Sequence, residues 1–294
     1  MGSRRRSSEA QREPKRPRGG HRADGAREAP RARDGAPGAA AARDAPEAAK
    51  RAASGTADPF MRAWAWKREH LPDRARFHKP YKYDLNGGGV SDAGRDVGAQ
   101  LTIEQAPFGP EGFASTVWDS SIVVAKMLEK AAERVRGKRC LELSAGTGLV
   151  AVVMARLGAS RVVATDLEPN LPLLRRNVAK NGADVEVAAH SWGEPVAALG
   201  GPFEVISVCD CMYVDEDDVV RALARSIAAL LAADGLAVVA QGRNDRAWER
   251  FVAQCAAQGL APPRAVGDDE LDEVYRAPDV SVWEIRREAA RQGD

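Results

Sequence analysis

From residue 138 onward, apolar positions along the chain alternate between two patterns. Short, almost continuous apolar runs predict buried strands, and apolar residues spaced three or four apart predict helices. The predicted strands comprise residues 100–105, 139–143, 161–165, 184–188, 203–208, 236–241, 265–269 and 280–286, and the predicted helices residues 122–134, 149–157, 169–181, 219–231 and 246–258. This alternation is typical of a Rossmann-like α/β fold: a mostly parallel sheet with helices on both faces.

The residues that end each predicted strand are candidates for ligand binding. In open α/β sheets, ligands lie beyond the carboxyl ends of the strands. The loop from Ser144 to Gly148 is made of small residues, which let a cofactor approach the backbone, and the next helix offers free N–H groups. A tight structural turn is the alternative interpretation.

Asp166 ends the next predicted strand, 18 residues after Gly148. A carboxylate at this spacing typically accepts hydrogen bonds from two ribose hydroxyls. Capping of the following helix is the alternative role, since Asp is also a good N-cap residue. The spacing favours ribose binding.

Composition divides the chain into parts. Residues 1–57 contain no Ile, Leu, Val, Phe, Trp or Tyr and carry 14 Lys and Arg against 7 Asp and Glu. Such a segment cannot bury enough apolar surface to offset its chain entropy, so we expect a disordered basic tail. Residues 58–96 hold scattered aromatic residues and are predicted to be a partly ordered N-terminal extension. Residues 97–288 form the predicted domain.

Charge and cysteine content narrow the function classes. The 237 residues after the tail carry 29 basic and 35 acidic groups, which argues against a nucleic-acid footprint on the core. Basic runs at residues 4–6 and 14–18 could serve nuclear import or bind polyanions, although a solvated extension is the simpler interpretation. The cysteines form no CxxC pair and have no nearby His, so we expect reduced thiols and no metal site. They are Cys140, Cys209, Cys211 and Cys255.

The length of the apolar runs indicates where in the cell the protein is expected. None approaches the length of about 18 residues that a membrane helix needs, and no apolar signal segment lies near the start. We therefore expect no membrane association and a cytoplasmic location, with the nucleus as the alternative. We also expect a monomer.

Five motifs in order resemble one enzyme family. Residues 115–245 resemble the seven-β-strand methyltransferases, specifically the methyltransferase-like group of protein-lysine N-methyltransferases. The motifs are Val117-Trp118-Asp119-Ser120-Ser121, Glu142-Leu143-Ser144-Ala145-Gly146-Thr147-Gly148, Thr165-Asp166, Ser191-Trp192-Gly193-Glu194 and Asp210-Cys211-Met212-Tyr213. The resemblance implies a Rossmann-like seven-stranded methyltransferase fold, in which a mostly parallel sheet ends in a C-terminal antiparallel hairpin. It also implies binding of S-adenosyl-L-methionine and methylation of a lysine that a protein substrate presents.

The resemblance also assigns residues to the cofactor site. Glu142 is expected to hold the amino group of the methionine part, and the loop after it to give backbone contacts. Trp118 and Trp192 match positions that contact the cofactor, with Trp192 beside the adenine; core packing is the alternative for either ring. The cofactor-binding residues implied in this way are Trp118, Glu142, Ser144, Ala145, Gly146, Gly148, Asp166, Trp192 and Cys209.

Asp210 and Tyr213 are the candidate catalytic residues. Asp210-Cys211-Met212-Tyr213 has the family's Asp/Glu-x-x-Tyr/Phe form, whereas many methyltransferases of nucleic-acid or glutamine amines have two prolines in this loop. The resemblance therefore favours a lysine acceptor, oriented by Asp210 and enclosed by Tyr213. For Asp210, positioning of the loop is the alternative role, and for Tyr213, simple packing after a strand.

Two positions depart from the family pattern. Ser144 stands where Gly is common, and a left-handed backbone there would cost about 1 kcal/mol or more. Ser191 stands where an Asp often precedes Trp-Gly, which removes one acceptor for the adenine amino group. Both departures are compatible with weaker cofactor binding.

Three other functions remain open at this point. The fold also serves methyltransferases of small molecules or RNA. A nicotinamide-dependent oxidoreductase is disfavoured because Ala151 replaces the third glycine of GxGxxG. The two departures at Ser144 and Ser191 also suggest a non-catalytic binding protein.

Overall fold

The computed structural model describes residues 66–68, 71–85, 100–108, 113–213, 215–242 and 244–288. The predicted basic tail, residues 1–57, therefore lies outside the described residues. The extension predicted over residues 58–96 is described in two pieces, which include Trp66 and Tyr83, both buried.

The central sheet has seven strands. They are β3 (Arg139–Leu143), β4 (Arg161–Asp166), β5 (Glu186–Ala189), β6 (Phe203–Cys209), β7 (Leu231–Gln241), β8 (Arg264–Ala265) and β9 (Ser281–Ile285). Their order is β5-β4-β3-β6-β7-β9-β8. The first five pair in parallel, and β9 is antiparallel to both β7 and β8. The predicted sheet with its C-terminal antiparallel strands is confirmed.

Five α-helices flank the sheet in the described chain. They are α1 (Asp119–Lys130), α2 (Leu149–Arg156), α3 (Leu171–Lys180), α4 (Asp217–Leu230) and α5 (Asp245–Ala257). Helix α1 begins three residues earlier than predicted, with Asp119 in its first turn, where a carboxylate is favoured by the helix dipole. Helix α3 begins later than predicted, because Glu168–Asn170 forms a separate 3-10 turn and Pro172 enters in the first turn of α3.

Successive residues along each central strand face opposite cores. Cys140, Val205 and Val238 belong to one cluster together with residues of α1, α2 and α3. The next residue along β3 and β6, Leu141 and Ile206, belongs to the other cluster with residues of α4 and α5. This period of two is the pleat of a strand covered on both faces, and it explains the nearly continuous apolar runs.

A second, two-stranded sheet was missed by the sequence patterns. Strand β1 (Tyr81–Asp84) pairs antiparallel with β2 (Gln100–Ile103), outside the central sheet. Strand β2 was predicted, as residues 100–105, but β1 was not. Two side chains at the C-terminal end of α3 bind the backbone of β2 and of the residue after it. Asn181, the C-cap residue, accepts from Thr102 N through its Oδ1 at 2.9 Å, and Asn177 Oδ1 accepts from Glu104 N at 2.8 Å.

The C-terminal region shows one further difference. The strand predicted over residues 265–269 is limited to Arg264–Ala265. A turn replaces the rest, in which Glu270 N donates to Gly267 O at 3.0 Å.

Among the described residues no helix is long and apolar enough to cross a membrane, and no cluster of three or more His, Cys, Asp or Glu could hold a metal. All four cysteines are free thiols.

Candidate active site

A cavity of about 770 Å³ lies at the carboxyl ends of β3, β4, β6 and β7. This is the edge of the sheet where ligands bind in open α/β folds, and the volume lies in the usual range for ligand pockets. Most of the predicted site residues line it: Trp118, Glu142, Ser144, Ala145, Gly146, Asp166, Trp192, Cys209, Asp210 and Tyr213. Gly148 does not line it; this residue lies at the N-cap of α2 with φ +82°.

The loop after β3 has an unusual backbone. Gly146 has φ +53°, and a Cβ on it would lie 2.9 Å from the carbonyl oxygen of Ala114, so only glycine fits there without a shift. Ser144 also has a left-handed φ, of +55°. This is the geometry that costs a non-glycine residue about 1 kcal/mol or more. The departure from the family's glycine therefore introduces strain at the cavity wall.

Replacing Ser144 by Gly is expected to stabilise the protein. Relief of the left-handed strain outweighs the larger backbone entropy of Gly, so the free energy of unfolding should rise by about 0.5–1 kcal/mol. Urea unfolding of the full chain measures the change. Ser191→Gly is the matched control, because Ser191 lacks a positive φ and should lose stability. An unchanged or lower stability of Ser144→Gly would contradict the expected strain.

Asp166 links the two neighbouring strand ends. Its Oδ2 accepts a hydrogen bond from Gly146 N at 2.7 Å. Its Oδ1 accepts from Leu167 N at 2.8 Å and from Asn170 Nδ2 at 2.6 Å. The N-cap residue of α3 is Asn170 rather than Asp166. A carboxylate has about four acceptor positions, so these three donors fix the group and leave one position for a ligand hydroxyl.

Glu142 is a buried carboxyl with a strongly perturbed pKa. Its Oε2 accepts from Ala151 N, in the first turn of α2, at 2.7 Å. Burial raises the pKa of Glu142 to about 8, the Ala151 N–H opposes that shift, and the charge of Asp166 adds to it. A cation beside Glu142 would favour its ionised form. A positively charged ligand group would therefore bind here together with ionisation of Glu142.

His190 lines the other end of the cavity and was missed by the sequence patterns. It follows the last residue of β5, and its backbone N donates to Asp166 O at 2.9 Å. Its Nε2 lies 3.3 Å from Ser226 Oγ, and the same hydroxyl accepts from Gly193 N at 2.8 Å. Ser226 thus fixes the turn that carries Trp192. The available signal was the position of His190 directly after the end of β5, at the edge of the sheet where ligands bind.

Asp210 is held rigidly at the end of β6. Its Oδ2 accepts from the hydroxyl of Ser120, and its Oδ1 accepts from Gly242 N at 2.9 Å. Its backbone takes a left-handed φ of +50°. Burial raises the pKa of Asp210, and the hydrogen bonds from Ser120 and Gly242 partly offset that rise. The sequence patterns singled out Asp210 but not its two donors.

Aromatic rings surround the cavity mouth and form what we term the aromatic rim: Phe108, Phe113, Trp118 and Tyr213. Phe113 and Tyr213 meet edge to face with centroids 6.0 Å apart. Trp118 Nε1 donates to Phe113 O at 3.1 Å, and the Trp118 ring lies parallel to Phe108. Tyr213 is 65% exposed. Three rings of the rim, those of Phe113, Trp118 and Tyr213, line the same cavity as Asp210.

The cavity is lined by acidic side chains without basic Lys or Arg side chains among the described residues. Four carboxyl side chains and no Lys or Arg side chain line the cavity within the described part of the chain: Glu142, Asp166, Asp210 and Asp218. The ionised carboxylates of this lining attract cations and repel phosphates. A ligand that carries a sulfonium and an ammonium group matches this lining, and a ribose matches the remaining acceptor capacity of Asp166. The residues present fit S-adenosylmethionine.

Fold and site together define an S-adenosylmethionine-dependent methyltransferase. A solved 16S rRNA N2 G1207 methyltransferase from T. Thermophilus, in complex with AdoMet and guanosine, shares the fold. The TM-score is 0.51 and the sequence identity is 18%. The superposed region covers 72% of this chain and 50% of the rRNA methyltransferase. The family model described as lysine methyltransferase matches residues 97–258. The protein belongs to this family, which confirms the resemblance carried by the five motifs.

Curated relatives are consistent with this membership. The chain is similar to protein N-lysine methyltransferase METTL21A from Danio rerio, with 34% identity over 173 residues that cover 56% of this chain and 78% of the relative. It is also similar to EEF1A lysine methyltransferase 3 from Mus musculus, with 32% identity over 121 residues that cover 40% of this chain and 52% of the relative. The match thus spans about half of the mouse protein.

Proposed function

We propose that this protein transfers the methyl group of S-adenosylmethionine to the side-chain amine of a lysine in a protein substrate. The observation that carries the proposal is the carboxyl-lined cavity, which contains no Lys or Arg side chain among its described residues. Both the cofactor and a lysine bring positive charge, whereas a nucleic-acid substrate brings phosphates. The names of the two curated relatives support the same acceptor.

The cofactor site is assigned to residues from neighbouring strand ends. Glu142 holds the amino group, Asp166 accepts from one ribose hydroxyl, and Trp192 contacts the adenine. The loop from Ser144 to Gly146 contributes backbone groups, together with Cys209. When bound, the cofactor supplies an electrophilic methyl group on a sulfonium, so the protein has mainly to align the acceptor with it.

The acceptor amine is assigned to the space between Asp210 and the aromatic rim. A lysine has a reference pKa of about 10.4, so removal of its proton near neutral pH costs about 4 kcal/mol. Desolvation among the rings of the rim lowers that pKa, because burial disfavours the ammonium form. Asp210 orients the nitrogen, and Tyr213 and Phe113 enclose the alkyl stem. Water can take the proton before the amine enters, so no protein base is assigned.

Labelling with radioactive S-adenosylmethionine tests the acceptor class. Purified full-length protein is incubated with protein extract, total RNA or a small-metabolite fraction, and the Asp210→Asn variant serves as the matched inactive control. We expect label in protein only, which mass spectrometry places on lysine side chains. Label confined to RNA or metabolites would overturn the lysine assignment. Absence of cofactor binding in calorimetry would favour a non-catalytic binding protein instead.

The compartment and assembly state are part of the proposal. We infer a monomer that acts on cytoplasmic proteins. The four free thiols and the absence of a membrane-crossing helix among the described residues are consistent with this. The basic runs at residues 4–6 and 14–18 make the nucleus the alternative. Imaging of the tagged full chain, with and without residues 1–57, separates the two compartments.

A further inference from the structure

The chain that precedes the family-matched region contacts the site. We propose that residues 66–68 and 71–79, here termed the N-terminal strap, position Asp210 for methyl transfer by fixing residues 116–120. These residues, here termed the turn, lead into α1 and include its first two residues. This inference rests on the proposed function, since it concerns the same carboxylate. The strap precedes residue 97, where the family match begins, so the match does not include it.

Arg68 ties the strap to the backbone of the turn. Its Nη2 donates to Val117 O at 3.1 Å, and its Nη1 donates to Arg76 O at 3.1 Å, within the strap. The guanidinium carbon lies 4.5 Å from the centroid of the Tyr81 ring. Arg68 keeps a left-handed φ of +63°, a strained geometry that persists only where surrounding contacts impose it. The strap therefore has one defined conformation at this point.

Two further strap cations converge on Asp119, the first residue of α1. Arg76 Nη2 lies 3.3 Å from Asp119 Oδ2, and Lys67 Nζ lies 3.9 Å from the same oxygen and 2.6 Å from Asp279 Oδ2. Lys67 and Asp119 are largely buried, so salt screens their attraction weakly. The strap thus holds the start of α1 by charge as well as by a backbone hydrogen bond.

The ionisation of Asp119 depends on these cations. Burial raises the pKa of Asp119 to about 6; the charges of Arg76, Lys67 and Arg68 lower it, and that of Asp210 raises it. Without the strap cations the carboxyl would become protonated at a higher pH. Protonation would weaken the ion pairs that hold α1, so the strap is coupled to pH near 6.

The turn passes this restraint on to the site. Ser120 follows Asp119 directly, and its hydroxyl donates to Asp210 Oδ2. Trp118, on the other side of Asp119, lies with its ring centroid 6.2 Å from that of Phe77 in the strap. Trp118 and Asp210 both line the cavity. Displacement of the turn would therefore move a donor of Asp210 together with one wall of the acceptor space.

Arg76→Gln in the full chain tests this positioning role. With protein extract as the acceptor, we expect kcat to fall about tenfold, because misplacement of a catalytic group costs this much or more. The KM for S-adenosylmethionine should stay within about twofold, since the cofactor contacts are elsewhere. The acid limb of the kcat profile should move to higher pH, because the pKa of Asp119 rises. Arg76→Lys, which keeps the charge, should recover most of the rate.

Hydrogen exchange of the ligand-free protein gives a readout that needs no substrate. Arg76→Gln should speed amide exchange at residues 117–120 and leave β3 and β6 unchanged. Arg74→Gln is the matched control, because Arg74 is exposed on the same segment. Equal exchange in Arg76→Gln and wild type, or a parallel rise of KM and fall of kcat, would overturn the inference. A wild type that labels no protein would overturn the proposed function instead, and exchange would still decide the role of the strap.

Discussion

Asp210→Asn is expected to lower the methyl-transfer rate about 100-fold, in line with the loss of one well-placed polar group in other active sites. Asn is nearly isosteric, tolerates the left-handed backbone at this position, and can still accept from Gly242 N. Its amide can donate to the Ser120 hydroxyl. The substitution therefore removes the charge that orients the acceptor amine and leaves the surrounding hydrogen bonds in place.

Cofactor binding should survive this substitution. Asp210 belongs to the acceptor end of the cavity, so the Kd for S-adenosylhomocysteine, measured by calorimetry, should change less than about threefold. The variant should not unfold, because burial raises the pKa of Asp210 and a neutral side chain avoids that cost. Asp217→Asn is the matched control: Asp217 pairs with Arg250 nearby but does not line the cavity. Equal losses of binding and turnover would show that Asp210 belongs to the cofactor site.

Sequence patterns predicted the central sheet because its signals are local. The pleat of a strand covered on both faces produces apolar runs such as residues 203–208, and these runs are readable without tertiary information. The β1–β2 sheet was only half predicted, since the four residues of β1 depend for their order on β2 and on buried contacts of Tyr83. The start of α1 was misplaced because its first residues depend on long-range partners of Asp119.

In the candidate site, too, some features were predicted from the sequence and others were not. Strand ends, the small-residue loop and the aromatic positions are sequence features, and the structure brings all of these except Gly148 to the cavity. The partners of these residues are distant in sequence: Ser120 lies 90 positions from Asp210, and Ser226 lies 36 from His190. Such pairs depend on how strands and helices stack, which one sequence does not encode at short range. The strained φ of Ser144 likewise became visible only in the structure.

Glu142→Gln should weaken cofactor binding by about ten- to hundredfold in Kd, because a hydrogen bond to a charged group contributes about 1.5–3 kcal/mol. Gln can still accept from Ala151 N, so the loop should keep its position. Calorimetry with S-adenosylhomocysteine measures the loss. Glu204→Gln is the matched control: Glu204 accepts from Arg139 N and does not line the cavity, so its Kd should equal that of wild type.

The Glu142→Gln substitution should weaken cofactor binding but raise the free energy of unfolding of the ligand-free protein. The pKa of Glu142 rises from 4.5 to about 8 on folding, so folding favours its protonated form. This contribution is fully present below pH 4.5 and is lost as the pH rises through about 8. Between pH 5 and pH 8 the free energy of unfolding of the wild type should fall by about 3 kcal/mol relative to that of Glu142→Gln, at 1.36 kcal/mol per pKa unit. Urea unfolding of both ligand-free proteins across this range measures the difference. Parallel curves would mean that Glu142 is ionised without a ligand, which would contradict the raised pKa of this buried carboxyl.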